Sequence, residues 1–363
     1  MRGILCLVLG LFFVFPVCAQ ESNQKNNDAK TIDGYMVFGN IIARSSTGDI
    51  GSGNNNFSVK QVGGVINKPV TSSIQAVVQA GFFFQGDDFK PKLALAFVRF
   101  SNCFIPNTQF FIGRKRVDFG KVNVRCPRNW DYVDRPAVLK TFFGDHTIVG
   151  NGAAAVITLP TSLPISATLG AWHVDSPNKS PNQPDKKTYE ITSSGIEDEV
   201  FSGRIRLFIP FTPENSLEIG VNGLKGFGIH HSLQKDRLEV IGLDLTCERQ
   251  LPGKRMLYLQ GEIHSLSRKF TFEDINRIGF YWYGGLLITE HWGLGIRYDW
   301  TEAALPDNNE ISGLLWNITH IISPQSKLRL QHCYDHECDE HTVYAQVVFG
   351  IGTIFHGDIN LID

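Results

Sequence analysis

The stretch Trp292-Gly293-Leu294-Gly295-Ile296-Arg297-Tyr298-Asp299-Trp300 places an apolar or aromatic side chain at every even position and glycine or a charge at every odd one. Successive side chains of an extended chain point to opposite faces, so this period of two describes a strand with one apolar and one polar face. The face with Arg297 and Asp299 requires water or polar partners. The face with two tryptophans and a tyrosine suits a packed core or lipid.

The same design recurs on the N-terminal side. Leu217, Ile219 and Val221 alternate with Ser216, Glu218, Gly220 and Asn222, and Phe201, Ile205 and Leu207 with Ser202, Arg204 and Arg206. Alternation predicts strands near 33–43, 54–66, 73–84, 91–100, 107–115, 147–159, 164–174, 197–209, 214–224, 236–248, 254–266, 275–288, 291–302, 311–322, 326–334 and 341–354. That is about sixteen strands (range roughly 14 to 18), most near the roughly 9 to 11 residues that cross a bilayer at a tilt.

A soluble sandwich would alternate as well. The connections discriminate between the two. Short turns at 160–163, 210–213, 289–290 and 323–325 fall at every second junction, and longer connections at 116–146, 175–196, 225–235, 267–274 and 303–310 fall between them. Outer-membrane barrels sort short periplasmic turns from long extracellular loops in this way. The expected fold is therefore all-β, a transmembrane antiparallel up-and-down barrel. Tyr281, Trp282, Tyr283, Trp292 and Trp300 stand near expected strand ends, where aromatic girdles belong.

Composition agrees with this fold. The 363 residues include 35 Gly, 26 Phe and 16 Pro, a mixture that suits strands and turns, and the net charge of −2 offers no basic face for nucleic acid. Arg2, the apolar run Ile4 to Val17 and the small-residue finish at Ala19 form a secretory signal peptide over 1–19. A polar, flexible periplasmic lead-in follows over 20–32, and the barrel fills 33–363. No later stretch reaches the roughly 18 apolar residues of a spanning helix. These features place the chain in the outer membrane of a Gram-negative-type bacterium. There its expected partners are membrane lipids, the barrel assembly machinery, small hydrophilic or anionic solutes and, for a barrel of this size, two further copies in a homotrimer.

The longest connection is also the most charged. Residues 114–145 carry eight Lys and Arg (Arg114, Lys115, Arg116, Lys121, Arg125, Arg128, Arg135, Lys140) against Asp118, Asp131, Asp134 and Asp145. Folded into the lumen as a constriction, Arg114, Arg116, Lys121, Arg125, Arg128, Arg135 and Lys140 would favour anions. The alternative is that these charges are solvated at the rim or pair with the four aspartates to fold the loop. On the wall, Arg204, Arg206, Arg297, Asp299 and Arg329 are expected to face the lumen, with Glu218, Asp244, Gln260 and Glu262.

Within this loop Asp118-Phe119-Gly120-Lys121-Val122-Asn123, Trp130, Val133-Asp134-Arg135-Pro136 and Phe142-Phe143-Gly144 resemble a porin-like outer-membrane family related to the phosphate-selective porins. In that family a PFGKxN segment precedes a DRPxxxxxFxG segment. Asp118 stands here where the family has Pro, and Arg125-Cys126-Pro127 where it has His-Pro-His. The resemblance runs over about 107–354 and implies a barrel and solute passage. Members of the family tend to end in Phe. This chain ends Asn360-Leu361-Ile362-Asp363, which leaves Phe349 or Phe355 to serve as the aromatic insertion signal.

Near the C-terminus His332, Cys333, His336, Cys338 and His341 lie within ten residues among four acids, a composition able to hold zinc or copper. A Cys333–Cys338 disulfide or a plain acidic hairpin tip are the alternatives. No other cofactor is expected. The remaining histidines lack a Ser or Asp partner at catalytic spacing, and no GxSxG, P-loop or HExxH occurs, so no enzyme is expected. The expected activity is passive diffusion of small solutes. A structural or adhesin-like barrel is the second reading.

Overall fold

The computed structural model describes residues 34–46, 56–85, 88–103, 105–144, 146–174, 196–212, 214–228, 236–269, 274–303 and 310–353. The signal peptide and lead-in expected over 1–32, the chain end with Phe355, and Asp145 lie outside the described residues.

The described chain forms β1 (Gly34–Ser46), β2 (Asn56–Pro69), β3 (Ile74–Gln85), β4 (Asp88–Ser101), β5 (Thr108–Arg116), β6 (Val149–Leu159), β7 (Ile165–Val174) and β8 (Ile196–Thr212). It continues as β9 (Asn215–Gly228), β10 (Asp236–Leu251), β11 (Arg255–Lys269), β12 (Asp274–Leu287), β13 (Trp292–Glu302), β14 (Glu310–Ser323), β15 (Ser326–Asp335) and β16 (Glu340–Gly352). A 3-10 turn (Pro127–Asn129) and a short α-helix, α1 (Ala137–Phe143), lie between β5 and β6. Every strand pairs antiparallel with its neighbours in sequence, and β1 pairs with β16, which closes the barrel. Closure leaves no unpaired edge, as hydrocarbon demands of any sheet within it.

The period of two sets which residues face out. Trp292, Leu294, Ile296 and Tyr298 all lie on the outer surface with Leu169, Ile205 and Ile241, and Leu169 is 69% exposed. An apolar surface this extensive is far beyond what a water-soluble monomer exposes, and it matches the lipid-facing band of a membrane barrel. The odd positions of β13, Arg297 and Asp299, are buried inside.

Two expectations are corrected. Tyr281 and Tyr283 do not join an outer girdle. They share the inward parity of β12 and are buried, while Trp282 between them is exposed outside. Of the expected loop 267–274, residues 267–269 and 274 belong to the ladder, in which Lys269 of β11 pairs with Asp274 of β12. Backbone pairing carries on past the apolar band, where hydropathy no longer marks the strand.

The seam between β1 and β16 runs from Met36 opposite Gly352 to Ser46 opposite Thr342. Near its centre the ring of Phe349 lies directly over Gly39, in the space a Cβ would occupy. An aromatic side chain here covers a backbone that has no side chain of its own.

Candidate constriction site

The β5–β6 connection, residues 117–148, turns into the barrel. Its neck is closed by Val117 N–H donating to Ile148 O at 3.0 Å. Asn123 reaches back across this neck. Its Nδ2 donates to Val117 O at 2.8 Å and its Oδ1 accepts from Ile148 N–H at 2.7 Å. Arg135 Nη2 donates to the same Oδ1, and Arg135 Nη1 donates to the carbonyls of Gly144 and His146. Two polar residues of the resembling motif, Asn123 and Arg135, therefore fold the loop on itself.

Packing holds the loop in place. Phe119, Val138, Leu139 and Phe142 are fully buried and join one apolar cluster with wall residues Phe38, Leu238, Val240 and Leu266. Each such side chain contributes about 1.5 to 3 kcal/mol relative to exposure. α1 starts after Pro136 and ends at Gly144, whose φ of 81° suits glycine and whose N–H caps Lys140 O. The helix packs against β12, β13 and β14.

Polar anchors then tie the loop to opposite walls. Toward β9 and β11, Gly120 N–H donates to Asn222 Oδ1 at 2.9 Å and Val122 N–H to Glu262 Oε1 at 2.9 Å. Gly120 has φ of 62°, and a Cβ there would run into the Glu262 carboxylate. Toward β13 and β15, Arg297 donates to both Asp134 O (3.0 Å) and Asp134 Oδ2 (3.2 Å), while Gln331 bonds Val133 N–H and Asp134 Oδ1. Asp131 O accepts from Asn317 Nδ2 at 3.0 Å. The loop thus spans the lumen from β5 and β6 to β15.

The seven expected constriction cations divide into distinct environments, and several of them stand in the ion pairs that were the alternative reading. Arg114 shares the outward parity of Ile112 and donates to Leu93 O and Asn151. Arg116, Arg128 and Arg135 are buried at 4% exposure or less, with the Arg128 guanidinium stacked 3.8 Å from the Phe38 ring. Lys121 pairs with Glu218 at 2.8 Å, Arg125 with Asp131 at 3.6 Å and Lys140 with Asp134 at 3.7 Å. The physical reason is that unpaired charges in a crowded lumen are costly, so the chain supplies a counter-charge or a ring face. Burial pushes the Lys121 ammonium pKa down, and Glu218 opposes the shift. Burial alone would raise the Asp134 carboxyl, but Arg297 and Lys140 more than reverse this and hold it below the usual carboxylate range.

The expected wall residues all face inward. Arg204 bonds Glu218 at 3.1 Å and Asp244 at 2.6 Å, Arg297 bonds Asp299 at 2.8 Å, and Arg206 is exposed to the lumen with its Nε on Ser166 Oγ. Arg329 and a residue that sequence reasoning passed over, Lys327, both donate to Trp130 O at 3.1 Å. Among the described residues neither has a carboxylate within ion-pair reach. Asp131 is the acid acting on Lys327, against Arg125, Arg128 and Arg329. Asn123, Asn222 and Gln331 were also passed over as site residues. Asn123 had a signal in its place in the motif, and Asn222 in sharing the polar face of its strand with Glu218.

Below the loop, toward the short turns, lies a cavity of about 520 Å³ lined by Lys121, Glu218, Thr246, Glu248 and Arg255. Among its lining residues Lys121 and Glu218 form an ion pair at 2.8 Å.

The expected metal cluster is not assembled as one site. Cys333 faces inward beside Asp134, Cys338 is exposed at the hairpin tip, and both are free thiols, so the disulfide alternative is also set aside. No group of three or more His, Cys, Asp or Glu converges among the described residues. Only His332 and His341 meet.

No family model matches the chain. An uncharacterized protein of Aquifex aeolicus is 24% identical over 265 residues, 61% of this chain and 52% of that protein, so the chain spans about half the length of that relative. Solved barrels align over most of the chain. An anion-selective porin from Comamonas acidovorans aligns at a TM-score of 0.58 and 11% identity, covering 88% of this chain and 98% of the porin. A loop L8 deletion mutant of OmpT, an outer membrane protein of Vibrio cholerae, aligns at 0.56 and 10%, covering 88% and 100%. OmpF of Salmonella typhi, in complex with daunomycin, aligns at 0.53 and 8%, covering 88% and 96%. At these identities the likeness is one of fold, and the fold is the closed barrel of the porin type.

Proposed function

We propose that this chain is an outer-membrane porin that admits small hydrophilic solutes past its inward-folded β5–β6 loop, with a preference for anions. The observation that carries this reading is that loop, a single connection folded into the lumen and anchored to opposite walls by Asn222, Glu262, Gln331 and Arg297. A segment so placed sets pore width and field. Passive diffusion needs no catalytic group. The apolar outer band supports seating in lipid, with the short turns toward the periplasm.

Anion preference rests on fewer cations than the loop's composition suggested. Most loop charges are neutralised in pairs. The surplus is at Lys327 and Arg329, which both donate to Trp130 O, and at lumen-exposed Arg206. The resemblance to the phosphate-selective group and the likeness to an anion-selective porin point the same way. A solved neighbour in trimer form, OmpT of Vibrio cholerae, supports a homotrimer, which chemical cross-linking in native membranes would report.

The test is reversal potential across planar bilayers under a salt gradient. Wild type is expected to favour chloride, and Lys327→Glu combined with Arg206→Glu to move the potential toward potassium. A channel whose selectivity ignores both substitutions would refute the anion reading. A second reading has its own support in the continuous apolar cluster from Phe38 through Phe119 and Phe142 to Leu266. Refolded protein without conductance, even after the loop is shortened, would make this a structural or adhesin-like barrel.

A further inference from the structure

We propose that His332 and His341 form a two-histidine chelate for a divalent transition-metal cation, copper(II) foremost, on the outer face of the barrel near its long-loop rim. His332 of β15 pairs with Val343 of β16, and His341 pairs with Tyr334, so the two histidines are diagonal neighbours on one ladder. Val343 is 42% exposed on the outer surface, which fixes the face on which both imidazoles stand.

Their ring nitrogens converge. His332 Nε2 lies 3.1 Å from His341 Nδ1. Two imidazole nitrogens each about 2.0 to 2.1 Å from one metal ion lie roughly 2.9 to 3.4 Å apart, between square-planar and tetrahedral angles. The observed separation falls inside that interval, so a metal could take both donors with the rings swung outward and the backbone unmoved. The rings are also supported from both sides. Trp316 stacks on His332 with centroids 5.5 Å apart, and Tyr334 stacks on His341 at 4.7 Å.

The neighbouring candidates do not complete the site. The His336 ring meets Tyr334 edge-on at 4.6 Å, and Cys333 faces the lumen. With two protein donors the rest of the shell is open to water or to oxygen ligands from outside the chain. Imidazole suits copper, nickel and zinc, and the Irving–Williams order places copper(II) above the other two. A site of this kind binds exchangeably and does not carry the fold.

The chain, refolded in detergent without a polyhistidine tag, is titrated with copper(II) chloride and followed by electron paramagnetic resonance. One equivalent with coupling to imidazole nitrogens is expected, and it should persist in His336→Ala. His332→Phe and His341→Phe keep the aromatic packing, and each should weaken binding by roughly 100-fold, at or above the cost of losing an outer-shell partner. Heat-modifiable gel mobility checks that each variant is a closed barrel. A wild-type signal that survives the double substitution, or that shows no nitrogen coupling, overturns the assignment.

Discussion

Asn123 and Arg135 meet inside the barrel, with Arg135 Nη2 donating to Asn123 Oδ1 at 3.3 Å while that oxygen also holds the N–H of Ile148. One amide thus ties the entry of the loop, its middle and its exit. Asn123→Ala leaves two buried backbone groups and part of a guanidinium without partners. Each unsatisfied group costs about 1 to 3 kcal/mol. Asn123→Ala and Arg135→Ala should each make the loop sensitive to protease in the folded barrel, and a double-mutant cycle on urea unfolding should show coupling of at least about 0.5 kcal/mol.

Gly120→Ala tests the anchor to β11. A non-glycine residue at φ of 62° is strained, and its Cβ would displace the Glu262 carboxylate from Val122 N–H. Destabilisation of about 1 to 3 kcal/mol is expected from the backbone alone. Conductance should rise at the same time, because the loop loses its hold on this wall. A Gly120→Ala channel of wild-type conductance and stability would contradict this placement.

Asp134 gives the pH dependence of the opposite anchor. Its folded-state pKa is lowered by Arg297 and Lys140 against the effect of burial. A lowered carboxylate contributes stability that is fully present above its unfolded value of about 3.9 and is lost as pH falls through the depressed folded value. Wild type should therefore lose loop protection from protease only in acid below about pH 4. Asp134→Asn should be less protected at neutral pH and lack that acid step.

The two faces of β8 predict opposite outcomes for neighbouring positions. Ile205 is exposed outside and Arg206 lies inside. Ile205→Arg should cost about 2 to 4 kcal/mol if its level is near the bilayer midplane. Arg206→Ile removes a lumen charge and should leave stability within about 0.5 kcal/mol, a value typical of exposed sites. Equal costs at both positions would mean that the outer face does not meet lipid.

Strands were legible because alternation is local. Trp292 to Trp300 declares its two faces within nine residues. The same parity rule carried Arg204, Arg297 and Arg329 correctly to the inside, and applied strictly it would also have sent Arg114 out with Ile112 and Tyr281 in. The loop was legible as a segment and as a resemblance, but its charges were not, since composition counts cations without their partners. That Lys121 meets Glu218 and Arg297 meets Asp134 depends on which strands a folded loop can touch. The role of Asn123 was hidden for the same reason, its partner Ile148 being twenty-five residues away.

The anchors of the loop also fix the order in which the molecule can be finished. Residues 117–148 leave the ribosome before any of Asn222, Glu262, Arg297 or Gln331 exists, and all four bond to the seated loop. The apolar face of α1 and Phe119 must therefore wait, shielded by other means, while more than half of the wall is still being made. Contacts so distant in sequence form slowly. The piece that would govern passage is synthesised in the first half of the chain and settles only when the last strands arrive, so an incomplete barrel cannot carry a finished gate.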